Sequence, residues 1–162
     1  MTIIRRMKRI IALGLLMSLF TLGIAQYAQL SEQAEVHLLT ADPGAELYSS
    51  FGHSSFRIKD PALRFDRIYN YGTFDFNTPG FYKKFVRGKL PYFIAAEGVP
   101  RFIKVYGSEG RNVKGFVLNL EQPEVQQVYE YLENNLKPEN REYPYDFFFD
   151  NCATRERDVL EE

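Results

Sequence analysis

Cys152 is the one cysteine of the 162-residue chain, and its position makes it a candidate nucleophile. It follows the aromatic run 145–149 and the polar pair Asp150 and Asn151, either of which can cap a helix N-terminus. In the first turn of that helix, free backbone N–H groups and the helix dipole favour a thiolate and can hold a carbonyl oxyanion. Asn151 can instead be an oxyanion donor or a turn residue. The alternative for Cys152 is a small buried hydrophobic residue, a common environment for a free cysteine.

Two histidines, His37 and His53, are available as a base for such a thiol. His53 lies in the alternating segment 51–58, which predicts a strand with a polar face. His37 lies among the apolar residues of another predicted strand, 36–40, and this favours a structural role. Cys152 and His53 are therefore the preferred pair. We expect them to lie within hydrogen-bond reach, or one side-chain rotation of it.

The sequence offers little for other chemistries. Two histidines and one cysteine lack the paired spacing of a zinc site. A glycine-rich phosphate-binding loop is also absent from the sequence, so we predict neither a metal nor a cofactor. The serines at positions 49, 50, 54 and 55 do not lie in a nucleophile-elbow pattern. A thiol with an imidazole remains the simplest chemistry for this chain.

Residues 1–25 have the pattern of an export signal. Four basic residues between positions 5 and 9 precede an apolar run, 10–24, and we expect cleavage after Ala25. This leader holds four of the 20 Lys and Arg and none of the 21 Asp and Glu, which leaves 16 basic against 21 acidic residues. The mature chain is therefore mildly acidic, which argues against a nucleic-acid partner.

Residues 26–162 predict a single α+β domain. Strands are predicted at 36–40, 51–58, 67–74, 91–96 and 111–120, with the second and third pairing antiparallel. A short basic helix is predicted to follow a start at Thr78 and Pro79, to run through 81–87 and to stop at Gly88. An amphipathic helix is predicted over 124–136.

The stretch 81–93 interleaves aromatic side chains with four Lys and Arg. It can lie at a lipid headgroup surface, where aromatic rings insert and cations meet phosphates. It can equally be a surface helix whose aromatic residues face the core. The two interpretations are compatible, because long basic side chains can cover apolar surface and still reach anionic lipid.

Four separated segments resemble the N-terminal periplasmic domain of the Lnb-type lipoprotein N-acyltransferases. They are ELYSSFGHSSFRI (46–58), YNYGTFDF (69–76), FVRGKL (85–90) and YDFFFDNCATR (145–155). The resemblance spans about Val36 to the end of the chain. It implies a permuted papain-like thiol fold, similar to lecithin retinol acyltransferase, in which an antiparallel sheet carries the His and a helix carries the Cys at its N-terminus. It also implies a location in the periplasm or at the outer face of the cytoplasmic membrane.

Carried over by motif, the family's nucleophile falls on Cys152 and its base on His53. The implied activity is that of an acyltransferase that moves the sn-2 acyl chain of a diacylglyceryl lipoprotein to its N-terminal amine through a Cys thioester. The implied partners are bacterial lipoproteins and membrane lipid. A third polar residue usually orients the imidazole. The next strand offers Asn70, Tyr71 and Asp75 for this role, and Asn70 is preferred.

The chain ends at Glu162, ten residues after Cys152, whereas family members continue and carry membrane-spanning segments. We therefore expect these 162 residues to be the N-terminal part of a longer protein, and to be weak or inactive alone. Two other functions remain open. One is a papain-like amidase or peptidase that acts on cell-wall peptide with the same two residues. The other is a non-catalytic envelope-binding domain with a buried cysteine.

Overall fold

The computed structural model describes residues 27–161, which form an α+β domain with a six-stranded antiparallel sheet and four helices. The strands are β1 (Glu35–Ala41), β2 (His53–Asp60), β3 (Phe65–Thr73), β4 (Pro91–Gly98), β5 (Val113–Val117) and β6 (Glu142–Pro144). The helices are α1 (Phe81–Val86), α2 (Val99–Ser108), α3 (Gln122–Asn135) and α4 (Cys152–Glu161). A short 3-10 helix covers Leu47–Ser49.

The strand order is β5-β1-β2-β3-β4-β6, so β2 and β3 lie at the centre of the sheet. Side chains alternate along each strand and give each face of the sheet its own core. The larger core packs α3 and α4 against one face, and its fully buried members include Phe56, Ile58, Tyr69 and Leu132. The smaller core packs α2 against Leu39, Ala41 and Ile68 through Phe102 and Tyr106.

One end of the sheet gathers the residues of the site. Ala41, the last residue of β1, pairs with His53, the first residue of β2. The neighbouring strand β3 ends nearby, where the pairing with β4 becomes irregular between Asn70 and Thr73. An irregular ladder frees backbone groups and redirects side chains. Asn70 is the last residue of β3 before this irregularity, and it lies on the same face of the sheet as Ile68.

Most of the predicted elements are present, but α1 begins later than the sequence indicates. The helix predicted through 81–87 is confirmed as α1, but the predicted start at Thr78 and Pro79 was wrong, because the helix begins at Phe81. The Asp75 carboxylate accepts hydrogen bonds from the backbone and side chain of Asn77, which holds the chain in a turn. Gly80 then adopts a φ of 70°, and helical geometry begins after it.

Helix α2 and the short strand β6 were missed by the sequence prediction. A Pro in the first turn and aromatic residues at positions 102 and 106 are the signals for α2, since they mark a helix start and one apolar face. The predicted strand 111–120 is shorter in the structure, at Val113–Val117. The predicted helix over 124–136 is present and begins two residues earlier.

The expected export signal, residues 1–25, lies outside the described part of the chain. Within residues 27–161, no helix is both long enough and apolar enough to cross a membrane. The same residues hold no group of three or more His, Cys, Asp and Glu side chains that could bind a metal ion.

Candidate active site

His53 and Cys152 line the same cavity, of about 580 Å³. The residues Asn151 and Ala153 on either side of Cys152 line it too, as does Gly72 of β3. Half of the remaining lining residues are aromatic: Tyr48, Phe51, Phe74, Phe85, Tyr92, Tyr145 and Phe147. The other half are Thr40, Ala41, Asp42, Pro43, Leu47, Gly52 and Ser54. A largely apolar cavity with a few convergent polar groups is the usual form of a site for a small organic substrate.

The His53 imidazole is held by Asn70. Its Nε2 lies 2.8 Å from Oδ1 of Asn70, and the same oxygen accepts a hydrogen bond from the Gly72 N–H at 2.9 Å. The Gly72 bond identifies this atom as the amide oxygen, because a backbone N–H cannot donate to an NH₂ group. An amide oxygen only accepts, so Nε2 carries the proton of the neutral imidazole. Nδ1 is left with its lone pair and can act as a base.

Gly72 also provides the space for the imidazole. A Cβ at position 72 would lie 2.3 Å from Cε1 of His53, and 3.0 and 3.2 Å from its two ring nitrogens. The 2.3 Å contact is shorter than non-bonded contacts of real Cβ atoms, and the other two are unusually tight. The absence of a side chain at Gly72 is therefore a requirement of the observed His53 orientation.

The imidazole also packs against α2. The rings of His53 and Tyr106 are stacked, with centroids 6.3 Å apart and planes 6° apart, and the Arg111 guanidinium lies 4.6 Å from the centroid of Tyr106. Burial lowers the pKa of His53, and the Arg111 charge adds to this, whereas the Asn70 hydrogen bond raises it. His53 is therefore neutral at neutral pH, as a base must be.

Cys152 is the first residue of α4, as the sequence indicates, and Asn151 is the cap. Asn151 Oδ1 accepts a hydrogen bond from Thr154 N at 3.1 Å, while Thr154 Oγ1 accepts one from Asn151 N at 2.8 Å. Asn151 Nδ2 donates to Phe147 O at 2.9 Å. The Asn151 amide is therefore occupied as a cap and does not serve as an oxyanion donor in this structure.

Two backbone donors remain free at the start of this helix. The N–H groups of Cys152 and Ala153 have no hydrogen-bond partner among residues 27–161. Both residues line the cavity. These N–H groups and the positive end of the helix dipole can stabilise negative charge that develops on a carbonyl oxygen beside the thiol.

His53 and Cys152 are not hydrogen-bonded to each other in this structure. In the part of the chain that is described, no hydrogen bond links the imidazole to Sγ, and the bond that His53 makes is to Asn70. The two residues meet at the cavity instead. Proton transfer between them requires a geometry in which Sγ comes within hydrogen-bond reach of the imidazole or is joined to it by a water.

Glu156 is a buried acid beside the site that the sequence analysis missed. It follows Cys152 by one helical turn and is only 4% exposed, and its Oε1 has no hydrogen-bond partner within residues 27–161. Burial raises its pKa to about 8, and the proximity of Cys152 acts in the same direction, whereas Ser54 and His53 oppose the shift. Its carboxyl is therefore mostly protonated at pH 7. The i, i+4 spacing from Cys152 was the signal available in the sequence.

The other residues considered from the sequence lie elsewhere. His37 Nε2 is 3.0 Å from a Glu35 carboxylate oxygen, four positions along the sheet from the His53 pairing. Tyr71 is buried in the larger core, and its carbonyl accepts a hydrogen bond from the Tyr143 hydroxyl. Asp75 is engaged with Asn77. Of the three residues proposed to orient the imidazole, Asn70 is the one that contacts it.

Fold and site together define an α+β domain in which a helix-start cysteine shares a cavity with a His–Asn pair. A family model described as the Lnb N-terminal periplasmic domain matches residues 25–162, so the chain belongs to this family. The family is a periplasmic domain, in agreement with the export signal expected in the sequence. The chain has no match among curated proteins or solved structures.

Proposed function

We propose that this chain is the catalytic domain of a lipoprotein N-acyltransferase with a permuted papain-like thiol arrangement. The observation that carries the proposal is the cavity shared by His53 and Cys152, in which Asn70 fixes the imidazole with Nδ1 free. Its aromatic lining suits an acyl chain better than a peptide, which requires polar partners for its backbone groups.

The first step forms an acyl thioester. Nδ1 of His53 takes the proton of the Cys152 thiol, and Sγ attacks the carbonyl carbon of the sn-2 ester of the lipoprotein's diacylglyceryl group. The N–H groups of Cys152 and Ala153 stabilise the oxyanion. The bond between the carbonyl carbon and the glyceryl oxygen then breaks, and His53 returns its proton to that oxygen.

The second step transfers the acyl chain to nitrogen. The α-amino group of the lipoprotein attacks the thioester carbonyl and loses a proton to His53. The carbon–sulfur bond breaks, an amide forms and the Cys152 thiol takes back its proton. The product is a lyso-form lipoprotein that is acylated on its N-terminal amine.

The test is mass spectrometry of lipoprotein N-termini from cells that lack their own N-acyltransferase and produce and export a protein that carries this domain. The expected result is conversion of diacylglyceryl lipoproteins to N-acylated lyso-forms, and none with the Cys152→Ser variant. If the protein is made and exported but the lipoprotein N-termini stay unmodified, the assignment is wrong. Cleavage of cell-wall peptide by the same protein would establish the amidase or peptidase instead.

A further inference from the structure

The segment that precedes Cys152 exposes three consecutive phenylalanines. Asp146 and Asp150 form an isolated antiparallel bridge, with N–H to oxygen bonds of 2.9 and 3.1 Å, and residues 147–149 form the loop between them. Phe148 is 74% exposed and Phe149 is 83% exposed. A contiguous exposed apolar surface of this kind usually marks an interaction site.

The backbone at the tip of this loop is largely satisfied from within. Asp146 Oδ1 accepts hydrogen bonds from the N–H groups of Phe148 and Phe149, at 2.8 and 3.0 Å. The Phe147 carbonyl accepts one from the Asn151 side chain at 2.9 Å. These groups do not need water, so the loop can enter a low-dielectric phase without leaving them unpaired.

The exposed rings are continuous with the lining of the Cys152 cavity. Phe51 is 77% exposed, lies 4.7 Å from Phe147 by ring centroids, and lines the cavity together with it. A second exposed ring, Phe76, packs 5.4 Å from Tyr48, which also lines the cavity. We call Phe51, Phe76 and residues 147–149 the aromatic rim.

Positive charge adjoins this rim. Residues 76–96 contain Lys83, Lys84, Arg87 and Lys89 and no Asp or Glu, although the mature chain as a whole is acidic. Tyr82, exposed beside Lys83 on α1, packs against Phe81, which in turn contacts Phe76. Aromatic rings flanked by exposed cations are complementary to an anionic lipid surface.

The acidic residues of the loop do not oppose this charge strongly. Asp150 forms a two-pronged ion pair with Arg155, with N–O distances of 2.5 and 2.6 Å. Asp146 is engaged with the N–H groups at the tip of the loop. The electrostatics of the region therefore favour an anionic surface over a cationic or neutral one.

We propose that the aromatic rim is a membrane-docking surface that inserts at the headgroup–acyl boundary of an anionic phospholipid bilayer. Phe51 and Phe147 belong both to the rim and to the lining of the cavity, so docking places the cavity next to the lipid phase. Membrane binding requires no reaction at Cys152, and in this respect the inference goes beyond the proposed function. Only its role in delivering a lipid-linked ester to the thiol rests on that function.

The chain contains no Trp, which permits a site-specific fluorescence test. The exported protein carries either Phe148→Trp in the rim or Leu63→Trp in the turn at the opposite end of β2, and each is mixed with phosphatidylethanolamine–phosphatidylglycerol vesicles. We expect the emission of Phe148→Trp to shift to shorter wavelength and to be quenched by brominated acyl chains. The emission of Leu63→Trp should not change.

Vesicle sedimentation separates the apolar from the ionic contribution. Replacing Phe148 and Phe149 by Ser should weaken partitioning by about tenfold for each ring withdrawn from lipid. The matched control replaces two other exposed apolar residues, Leu63 and Phe116, by Ser and should bind as the parent does. Replacing Lys83 and Arg87 by Gln should weaken binding by about fivefold for each charge, and only when the vesicles contain anionic lipid.

Three results would overturn the proposal: no binding of the parent to anionic vesicles, equal binding by the parent and the Phe148→Ser/Phe149→Ser variant, or equal loss in that variant and its control. A Phe148→Trp probe that is shielded before lipid is added, and unchanged by it, would also overturn it and would show that a protein surface covers the loop. Vesicle binding without N-acylation in cells would count against the proposed function alone. N-acylation without vesicle binding would count against the docking surface alone.

Discussion

Asn70 Oδ1 lies 2.8 Å from His53 Nε2 and thereby fixes which nitrogen of the imidazole is free to act as a base. The Gly72 N–H donates to the same oxygen at 2.9 Å and so opposes a flip of the Asn70 amide that would exchange Oδ1 and Nδ2. Asn70 is thus a positioning residue, because it acts on the base and does not itself contact the thiol. This relationship makes the role of Asn70 measurable through the titration of His53.

In a plot of the Cys152 alkylation rate against pH, Asn70→Asp should move the rise on the acid side to higher pH. A carboxylate beside the imidazole stabilises its protonated form and raises the pKa of His53. Asn70→Ala should move this rise to lower pH, since it removes the hydrogen bond that raises the pKa of His53. We also expect the Ala variant to lower the plateau rate by about tenfold or more. The measurement is the rate of iodoacetamide alkylation against pH, followed by intact mass.

The control for this experiment is Asn119→Asp, an exposed position near the end of β5. Its profile should superimpose on that of the parent. If both Asn70 variants also superimpose on the parent profile, Asn70 does not govern the protonation of His53, and its contact with the imidazole is only structural.

Gly72→Ala should displace the His53 ring, because the new Cβ would lie 2.3 Å from Cε1. A shift of about 1 Å in a reacting group can cost about a hundredfold in rate. We also expect a loss of about 1–3 kcal/mol in the free energy of unfolding from overpacking. Acyl-thioester formation and urea unfolding are the two measurements.

The matched control for Gly72→Ala is Gly107→Ala in helix α2. A Cβ at position 107 meets no atom within 4 Å. Ala is the better helix former, so this variant should gain about 0.5–1 kcal/mol in the free energy of unfolding and keep full activity. Equal activity of the two variants would show that the His53 orientation tolerates a side chain at position 72.

Glu156→Gln should flatten the decline of stability at alkaline pH. The pKa of Glu156 is raised from its ordinary 4.5 to about 8 in the folded protein, so the folded state binds the proton more tightly than the unfolded state does. The free energy of unfolding therefore falls as pH rises from about 4.5 through about 8. The lowered pKa of His53 has the opposite effect, a loss of stability as pH falls below its ordinary 6.5.

Above pH 7, therefore, the contribution of Glu156 to the pH dependence of stability can be measured without that of His53. Between pH 7 and 9 we expect the parent to lose about 1 kcal/mol more than the Gln variant, which cannot ionise. Urea midpoints at these two pH values give the comparison. Identical slopes for parent and variant would mean that the Glu156 carboxyl is ionised in the folded protein at neutral pH.

The sequence was sufficient to predict the local elements on either side of the site. Alternation predicted β2, and a polar capping pair before Cys152 predicted the start of α4, because both patterns depend on neighbours in sequence. Asn70 could be placed among three candidates on the next strand. Alternation places Asn70 on the same face of the sheet as Ile68, and Tyr71 on the other face. That the face with Asn70 is the one that meets His53 depends on the register between β2 and β3, which no local pattern reveals.

The surroundings of the imidazole depend on contacts between distant segments, and these could not be predicted. Tyr106 belongs to a helix that was missed, and its stacking on His53 depends on how α2 crosses the sheet. In the sequence Gly72 looks like any glycine in a strand, and only the position of the His53 ring shows that a side chain would clash there. In the sequence Glu156 is one of several charged residues in a polar helix, and nothing there indicates that it is buried. Its burial results from the packing of α4 against β2.

The two histidines provide the most direct test of thioester chemistry. With a lipid ester as acyl donor, Cys152 should gain the mass of one acyl chain, and His53→Ala should slow this gain by about 10²- to 10⁴-fold, the usual contribution of a general base. His37→Ala should leave the rate unchanged, because His37 contacts Glu35 and lies away from the cavity. Cys152→Ser should show no lasting adduct, since a hydroxyl beside a single imidazole is a much weaker nucleophile. Equal rates for the two histidine variants would remove His53 from the reaction and leave Cys152 without a base in this cavity.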